Sequence, residues 1–442
     1  MTTKYTMKLR NLLQLLALVI VLPALAQTKL TTSIPYQTLS DAKSAETVGI
    51  STERLERLDK VMKGFVESEK LPGLVAILIR NGQIVYHQAY GFADVQSRKL
   101  MQKDNIFRIA SMSKAITATA VMMLYEEGKF GLDDPISRYI PEFKNPTVLK
   151  SFRFSDSTYT TEPAKSEITI RQLLSHTSGL GYGAIDGDER FKALYNKTGI
   201  VDLYTTQPVS ISDNIKKLAK LPLHHHPGEK FVYSEGLDVL GYFIEIMSGM
   251  PFDVFLRTRI FEPMGMKDTY FYLPESKSDR LVTIHRPMNG QWQAFPVTFY
   301  DPDYPRKGAK TFFSGGAGLS STAKDYATFL QMLVNGGAFN GKRFLSSYST
   351  EQLTVSNQTG TLYGGENGPM YFSLGFSVVT PFGHDKGLGS VGKFNWGGYF
   401  NTNYFADPKE KIVAVLMKQT QSLSGDTSEA TFIRMIYQTL DD

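Results

Sequence analysis

The chain has 442 residues, 42% hydrophobic and 12% aromatic, with no cysteine and a formal charge of +5. That length and apolar content allow a large buried core and exclude a disordered chain. The missing cysteine excludes disulfides, thiolate metal sites, a cysteine nucleophile and a lipid-modified cysteine, and the small net charge offers no argument for a nucleic acid partner.

Lys4, Lys8 and Arg10 lead into "LLQLLALVIVLPALA", which closes on Ala24-Leu25-Ala26. Positive residues, a short apolar run containing Gln14 and Pro23, and small residues at its end are the pattern of a cleaved secretory signal peptide. A membrane span would need about 20 apolar residues. Residues 1–26 are expected to be removed, and residues 27–50 to form an N-terminal extension. The mature protein is then periplasmic or secreted, with no stable membrane insertion. The leader holds three positive and no negative residues, so the chain from Gln27 carries +2.

Ser51 precedes "TERLERLDKVMKGFVESEK", where Leu55, Leu58, Val61, Met62 and Phe65 recur at helical spacing and Glu53 lies in the first turn. This predicts an amphipathic helix. "GLVAILIRNGQIVYHQAYG" follows, two β-rich runs around Asn81-Gly82, the strongest short hairpin signal. From Lys114 to about Asn335 the pattern is mostly helical, interrupted by long loops at 141–167 and 285–318. Strand patterns return in "MYFSLGFSVV", "GGYFNTNYFA" and "KIVAVLMKQ", the last two joined by "DPKE", and a final helix is expected over about 427–440. The simplest assembly is an α/β (α+β) fold. One antiparallel sheet comes from about 51–110 and 371–442, flanked by helices, with a mostly helical portion of about 111–370 inserted.

Within "RIASMSKAIT", Ser111 and Lys114 are three residues apart at the start of a helix running to Gly128, a C′ glycine. Ser-x-x-Lys also occurs at Ser40, Ser321 and Ser390, but only Ser111 opens such a helix. Residues three apart share a helix face, so the lysine amine reaches the serine hydroxyl. The helix dipole and the apolar surroundings both disfavour a protonated lysine there, which would make it a proton acceptor. Taken alone, the tetrapeptide is better explained as an N-cap serine beside a lysine that reaches water.

The accompanying motifs change that balance. "FRIASMSKAIT", "LDDPISRYIPEF", "ITIRQLLSHTSGL", "PGEKFVYSEGLDVLGYFIEIMSG", "IFEPMGMKDTYF" and "GGAGLSSTAKDYATFLQML" follow one another over about residues 51–440. Their order and spacing resemble the serine β-lactamase-like superfamily, in particular its class C branch of β-lactamases, D-Ala-D-Ala peptidases and family VIII carboxylesterases. The resemblance implies a β-lactamase/transpeptidase-like fold and makes Ser111 the acylated nucleophile, Lys114 its proton partner and Tyr233 the second base. A tyrosine with a pKa near 10 needs nearby positive charge for that role, which Lys114 would supply.

Where β-lactamases of this branch carry asparagine to bind a substrate amide, this chain has Glu235, which cannot donate when ionised. Its side chain is expected either to pair with a lysine or to face solvent. Where they carry Lys-Thr-Gly on a strand, this chain has Trp396-Gly397-Gly398, the esterase-like form. The two glycines are expected to let the backbone approach a bound acyl group. The same alignment builds an oxyanion hole from the N–H groups of Ser111 and Tyr399. Lys393, three residues before Trp396, is expected on the other face of the strand.

His224, His225 and His226 are adjacent in a loop before Pro227-Gly228 and have no spaced partner, so they read as an exposed loop near the cleft and not as a metal site. His176 and Ser178 read as buried scaffold. No Gly-x-Ser-x-Gly elbow and no phosphate loop is present. The pocket lining is expected from the loops around Tyr159, Tyr182 and Trp292.

These readings predict an exported serine hydrolase acting through an acyl-enzyme on a small-molecule ester or amide, without metal or cofactor. A carboxylesterase for small neutral esters leads. A β-lactamase or D-Ala-D-Ala carboxypeptidase is the alternative on the same site, and a non-catalytic penicillin-binding-like module the alternative of another class.

Overall fold

β-branched and aliphatic residues from both ends of the chain meet in one sheet. The computed structural model describes residues 38–421 and 423–441; the expected signal peptide lies outside the described residues. Strands β1 (Gly73–Arg80) and β2 (Gln83–Asp94) form the expected hairpin. Asn81 and Gly82 turn it with φ of 52° and 74°, the left-handed pair that suits the twist of the strands. Five further strands are β3 (Met370–Phe372), β4 (Ser377–Val379), β5 (Phe394–Gly398), β6 (Thr402–Asp407) and β7 (Ile412–Met417). Their order is β2-β1-β7-β6-β5-β4-β3, all antiparallel, with Ser40–Asp41 adding a parallel edge beside β2.

Side chains alternate across a strand, so the sheet has two apolar faces. Leu74, Ala76 and Leu78 of β1 meet Leu58 and Met62 of α1 (Thr52–Glu67), and share that outer layer with Phe432 and Ile436 of a C-terminal helix, Ser428–Gln438. Ser51 caps α1 by accepting from the Arg54 N–H. Leu58 and Met62 are fully buried, which contributes about 1.5–3 kcal/mol each. Val61, expected on the same stripe, is 36% exposed, because the packed line runs along the i, i+4 pair beside it.

The inner face, with Val75, Ile77, Val413, Val415 and Phe394, packs on α2 (Ser113–Glu126) and on the helix Ala323–Val334. Helix α3 (Gly236–Ser248) lies against α2. Both long loops turn out to contain strands: Thr147–Arg153 pairs with Thr158–Pro163, and His285–Met288 with Gln291–Ala294. The second hairpin turns on Asn289-Gly290, the same signal as Asn81-Gly82 in a less apolar setting. Among the described residues no single helix is long and apolar enough to cross a membrane.

Candidate active site

A strained turn presents Ser111. Ala110, φ 44°, starts a single 3-10 turn over Ala110–Met112 that leads into α2. A residue with a Cβ enters this left-handed region at a cost of about 1 kcal/mol, so the surroundings must hold it. They do so from both sides: the Ile109 N–H donates to the Leu319 carbonyl at 3.0 Å, and the Leu319 N–H donates to Ser113 Oγ at 3.1 Å. No side chain caps α2, so the N-cap explanation of Ser111 is corrected: its hydroxyl is bonded to Lys114.

Lys114 is 2% exposed and its Nζ has three acceptors: Ser111 Oγ at 3.3 Å, the Tyr182 hydroxyl at 2.9 Å and the Gly316 carbonyl at 2.8 Å. An ammonium has three N–H donors, so this set satisfies it. As a neutral amine it would keep two of these bonds and accept the Ser111 proton through the third. Nζ also lies 4.6 Å from the centre of the Tyr233 ring. Tyr182, expected only as part of a pocket loop, is therefore an inner partner of the lysine. Burial, then the neighbouring Tyr233, Asp238 and Glu235, pushes the Tyr182 phenol well above its ordinary value, so it stays protonated.

Tyr233 is held by the loop that carries His176. The Ser234 N–H donates to His176 Nδ1 at 3.2 Å, and the Val232 N–H to the His176 carbonyl at 2.9 Å. Complete burial, then Lys114, drives the His176 pKa well below its usual value, so the ring is a neutral acceptor. The scaffold reading of His176 and Ser178 matches this burial. The Tyr233 oxygen accepts from Trp396 Nε1 at 3.3 Å.

Glu235 corrects both expectations for its side chain. It is 1% exposed, so it does not face solvent, and among the described residues no lysine pairs with it; its Oε1 has no hydrogen-bond partner. Burial, then Asp202 and Asp238, raises its pKa well above the ordinary carboxylate value against the opposing effect of Lys114. A buried carboxyl so placed is a neutral acid. Chain topology brings it there: the Glu235 N–H donates to the Gly181 carbonyl, fastening the start of α3 under the loop of Tyr182.

On β5 the glycines make close approaches within the fold. A Cβ on Gly398 would lie 2.5 Å from the Ile109 carbonyl oxygen, and one on Gly397 3.0 Å from Asn403 Nδ2. The glycine at 398 lets the strand press on the turn that carries Ser111. This contact sets the strand end, with Tyr399, beside the serine. The Tyr399 N–H donates to no acceptor among the described residues. Lys393 is on the opposite face as expected, buried at 5.0 Å from the Phe405 ring centre, where burial lowers its pKa to about 8.

Trp292 does not reach the site: its indole donates to the Glu69 carbonyl beyond α1. The three histidines are enclosed instead of exposed, since His224 stacks on Phe191 at 3.4 Å and His225 is 4% exposed. Among the described residues no group of three metal-ligating side chains is found.

Lys114 thus bonds Ser111 and Tyr182 and lies over the Tyr233 ring, beside a strand that ends in two glycines. The family model named Beta-lactamase matches residues 58–438. The chain belongs to this family. It is a serine hydrolase of β-lactamase/transpeptidase-like fold. It is 32% identical to Protein Rv1367c of Mycobacterium tuberculosis over 81% of this chain and 89% of that one. It is 30% identical to Esterase EstB of Burkholderia gladioli over 84% and 92%. Among solved structures it is similar to EstCE1, a hydrolase with promiscuous acyltransferase activity, at 25% identity and a TM-score of 0.72, covering 87% of this chain and 98% of that one. Tyr182 and Asp238 are the site residues that reading the sequence missed as such. The available signals were the tyrosine closing "HTSGLGY" and a charged residue in the first turn of an otherwise apolar helix start.

Proposed function

We propose that this serine hydrolase is an exported carboxylesterase for small neutral esters, working through an acyl-enzyme. Ser111 Oγ attacks the ester carbonyl while its proton passes to the Lys114–Tyr233 pair, which shares protons as a unit. The developing oxyanion receives the N–H groups of Ser111 and Tyr399. Collapse expels the alcohol, which takes a proton from Tyr233. Water then attacks the acyl-serine by the reverse proton path and releases the acid.

The observation that carries the ester preference is Trp396. An indole on this strand donates one neutral N–H, and here that N–H goes to Tyr233. The strand therefore offers no cation to a substrate carboxylate: the nearby Lys393 is buried on the far face. The similarity to EstB supports the same reading.

The test is purified protein against p-nitrophenyl acetate and butyrate, a chromogenic cephalosporin and a D-Ala-D-Ala peptide. kcat/KM is expected to be highest for the short esters. Faster hydrolysis of the cephalosporin or the peptide would overturn the ester reading in favour of the lactamase or carboxypeptidase one.

A further inference from the structure

Lys114 donates to the Gly316 carbonyl, and that carbonyl belongs to a segment gripped from two helices. On one side, Thr117 Oγ1 of α2 donates to the Gly315 carbonyl at 2.7 Å. On the other, Asp238 Oδ1 of α3 accepts from Ser314 Oγ at 2.5 Å and from the Gly316 N–H at 3.3 Å. The fit leaves no space: a Cβ on Gly315 would lie 2.3 Å from the Leu237 carbonyl oxygen, and one on Gly316 2.3 Å from Asp238 Oδ2. One carboxyl thus holds, through its N–H, the residue whose carbonyl holds the lysine.

Asp238 is 2% exposed, and among the described residues it has no cationic partner within ion-pair distance and its Oδ2 has no hydrogen-bond partner. Burying a carboxyl in this way is costly unless bonds and a nearby charge offset it. Two donors and Lys114 do so here, and they oppose the upward shift that burial imposes on its pKa. The other ionisable groups around the lysine are Tyr182, Tyr233, Glu235 and His176, and Asp202 faces Asp238. Glu235 has no such donors. Asp202 accepts from the Gly183 and Ala184 N–H groups, on the loop beyond Tyr182.

We propose that Asp238 is the positioning and counter-charge residue of Lys114, acting through the Ser314–Gly316 backbone that it anchors. The proposal rests on Lys114 being a working proton carrier, as in the reading above. Asp238 touches no reacting atom. It sets where the lysine amine stands and how readily it gives up its proton.

Asp238→Asn keeps an acceptor oxygen for Ser314 and Gly316 and removes the charge, whereas Asp238→Ala removes both. Each is compared with the unmodified full chain in p-nitrophenyl butyrate hydrolysis over a range of pH, with the melting temperature read alongside. Without the negative charge the ammonium is less favoured, so in Asp238→Asn the acid limb of kcat/KM is expected to move to lower pH by roughly one unit, with KM little changed. Asp238→Ala, and to a lesser degree Ser314→Ala, should lower kcat by roughly ten- to a hundredfold through misplacement of the lysine.

If Asp238→Ala fails to fold, Asp238→Asn still decides the counter-charge role, and Ser314→Ala alone decides the positioning role: an unchanged kcat there overturns it. An acid limb that stays in place in Asp238→Asn overturns the counter-charge role. An unchanged kcat in both Ser314→Ala and a folded Asp238→Ala overturns the positioning role. In either case, a Lys114→Ala control that abolishes turnover leaves the esterase reading intact. Full turnover in Lys114→Ala would instead remove that reading and this proposal with it.

Discussion

Trp396 Nε1–H donates to the Tyr233 hydroxyl oxygen across 3.3 Å, with the two rings 5.6 Å apart and tilted by 40°. A donor aimed at a phenol oxygen fixes where that oxygen stands. Trp396→Phe keeps an apolar ring and removes this bond. A neutral hydrogen bond is worth about 0.5–1.5 kcal/mol net, so ester kcat/KM should fall by roughly two- to tenfold. Trp396→Lys should also narrow the gap between ester and cephalosporin. A charge-assisted bond to a carboxylate contributes about 1.5–3 kcal/mol, roughly ten- to a hundredfold. Steady-state kinetics on both substrates measure each effect.

The Lys114 bond to Ser111 predicts a single acylated residue. A serine-directed fluorophosphonate should label the peptide that contains Ser111, and Ser111→Ala should abolish both labelling and turnover. Lys114→Ala and Tyr233→Phe should each lower kcat by on the order of a hundredfold or more. Labelling that survives in Ser111→Ala would place the nucleophile elsewhere.

Gly398 is required by the Ile109 carbonyl, so Gly398→Ala forces β5 away from the turn of Ser111. Overpacking of this kind costs about 1–3 kcal/mol. The melting temperature should drop, and kcat should drop further than stability does, because Tyr399 moves with the strand. Gly397→Ala, whose Cβ would lie 3.0 Å from the movable Asn403 amide and 3.2 Å from the Thr402 carbonyl oxygen, both farther than the 2.5 Å at Gly398, should be milder in both measurements.

Glu235 has a folded-state pKa raised by burial, so the folded protein keeps a proton there that the unfolded chain gives up. Its stability contribution is complete below the ordinary carboxylate value of 4.5 and is lost progressively as pH rises toward the folded value. Glu235→Gln removes this dependence. It should be at least as stable as the unmodified protein at neutral pH, with a flatter stability profile above pH 4.5, measured by chemical denaturation. A variant markedly less stable at pH 7 would mean that the carboxyl is charged and paired.

Export predicts a mature chain that begins at Gln27. N-terminal sequencing of periplasmic or secreted material reads this directly. Retention of residues 1–26 on a membrane-bound form would contradict it.

Local chemistry alone determined the elements whose signals lie close together in the chain. Ser51 caps α1, Asn81-Gly82 turns the first hairpin, and Ser111 and Lys114 share a face because they are three residues apart. The ordered motifs extended this to the fold and to Tyr233 and Trp396, because a resemblance carries the pairing of distant segments that no local period contains. Only the tertiary structure decided what surrounds each charged group. Lys114 takes its other acceptors from Tyr182 and Gly316, 68 and 202 residues away, and Tyr233 takes its donor from Trp396, 163 residues away. The burial of Glu235, the anchoring by Asp238 and the pressure of Gly398 on Ile109 have the same origin. The charge state of a side chain depends on solvent access and on neighbours in space, and both are settled only when α2, α3 and β5 pack together.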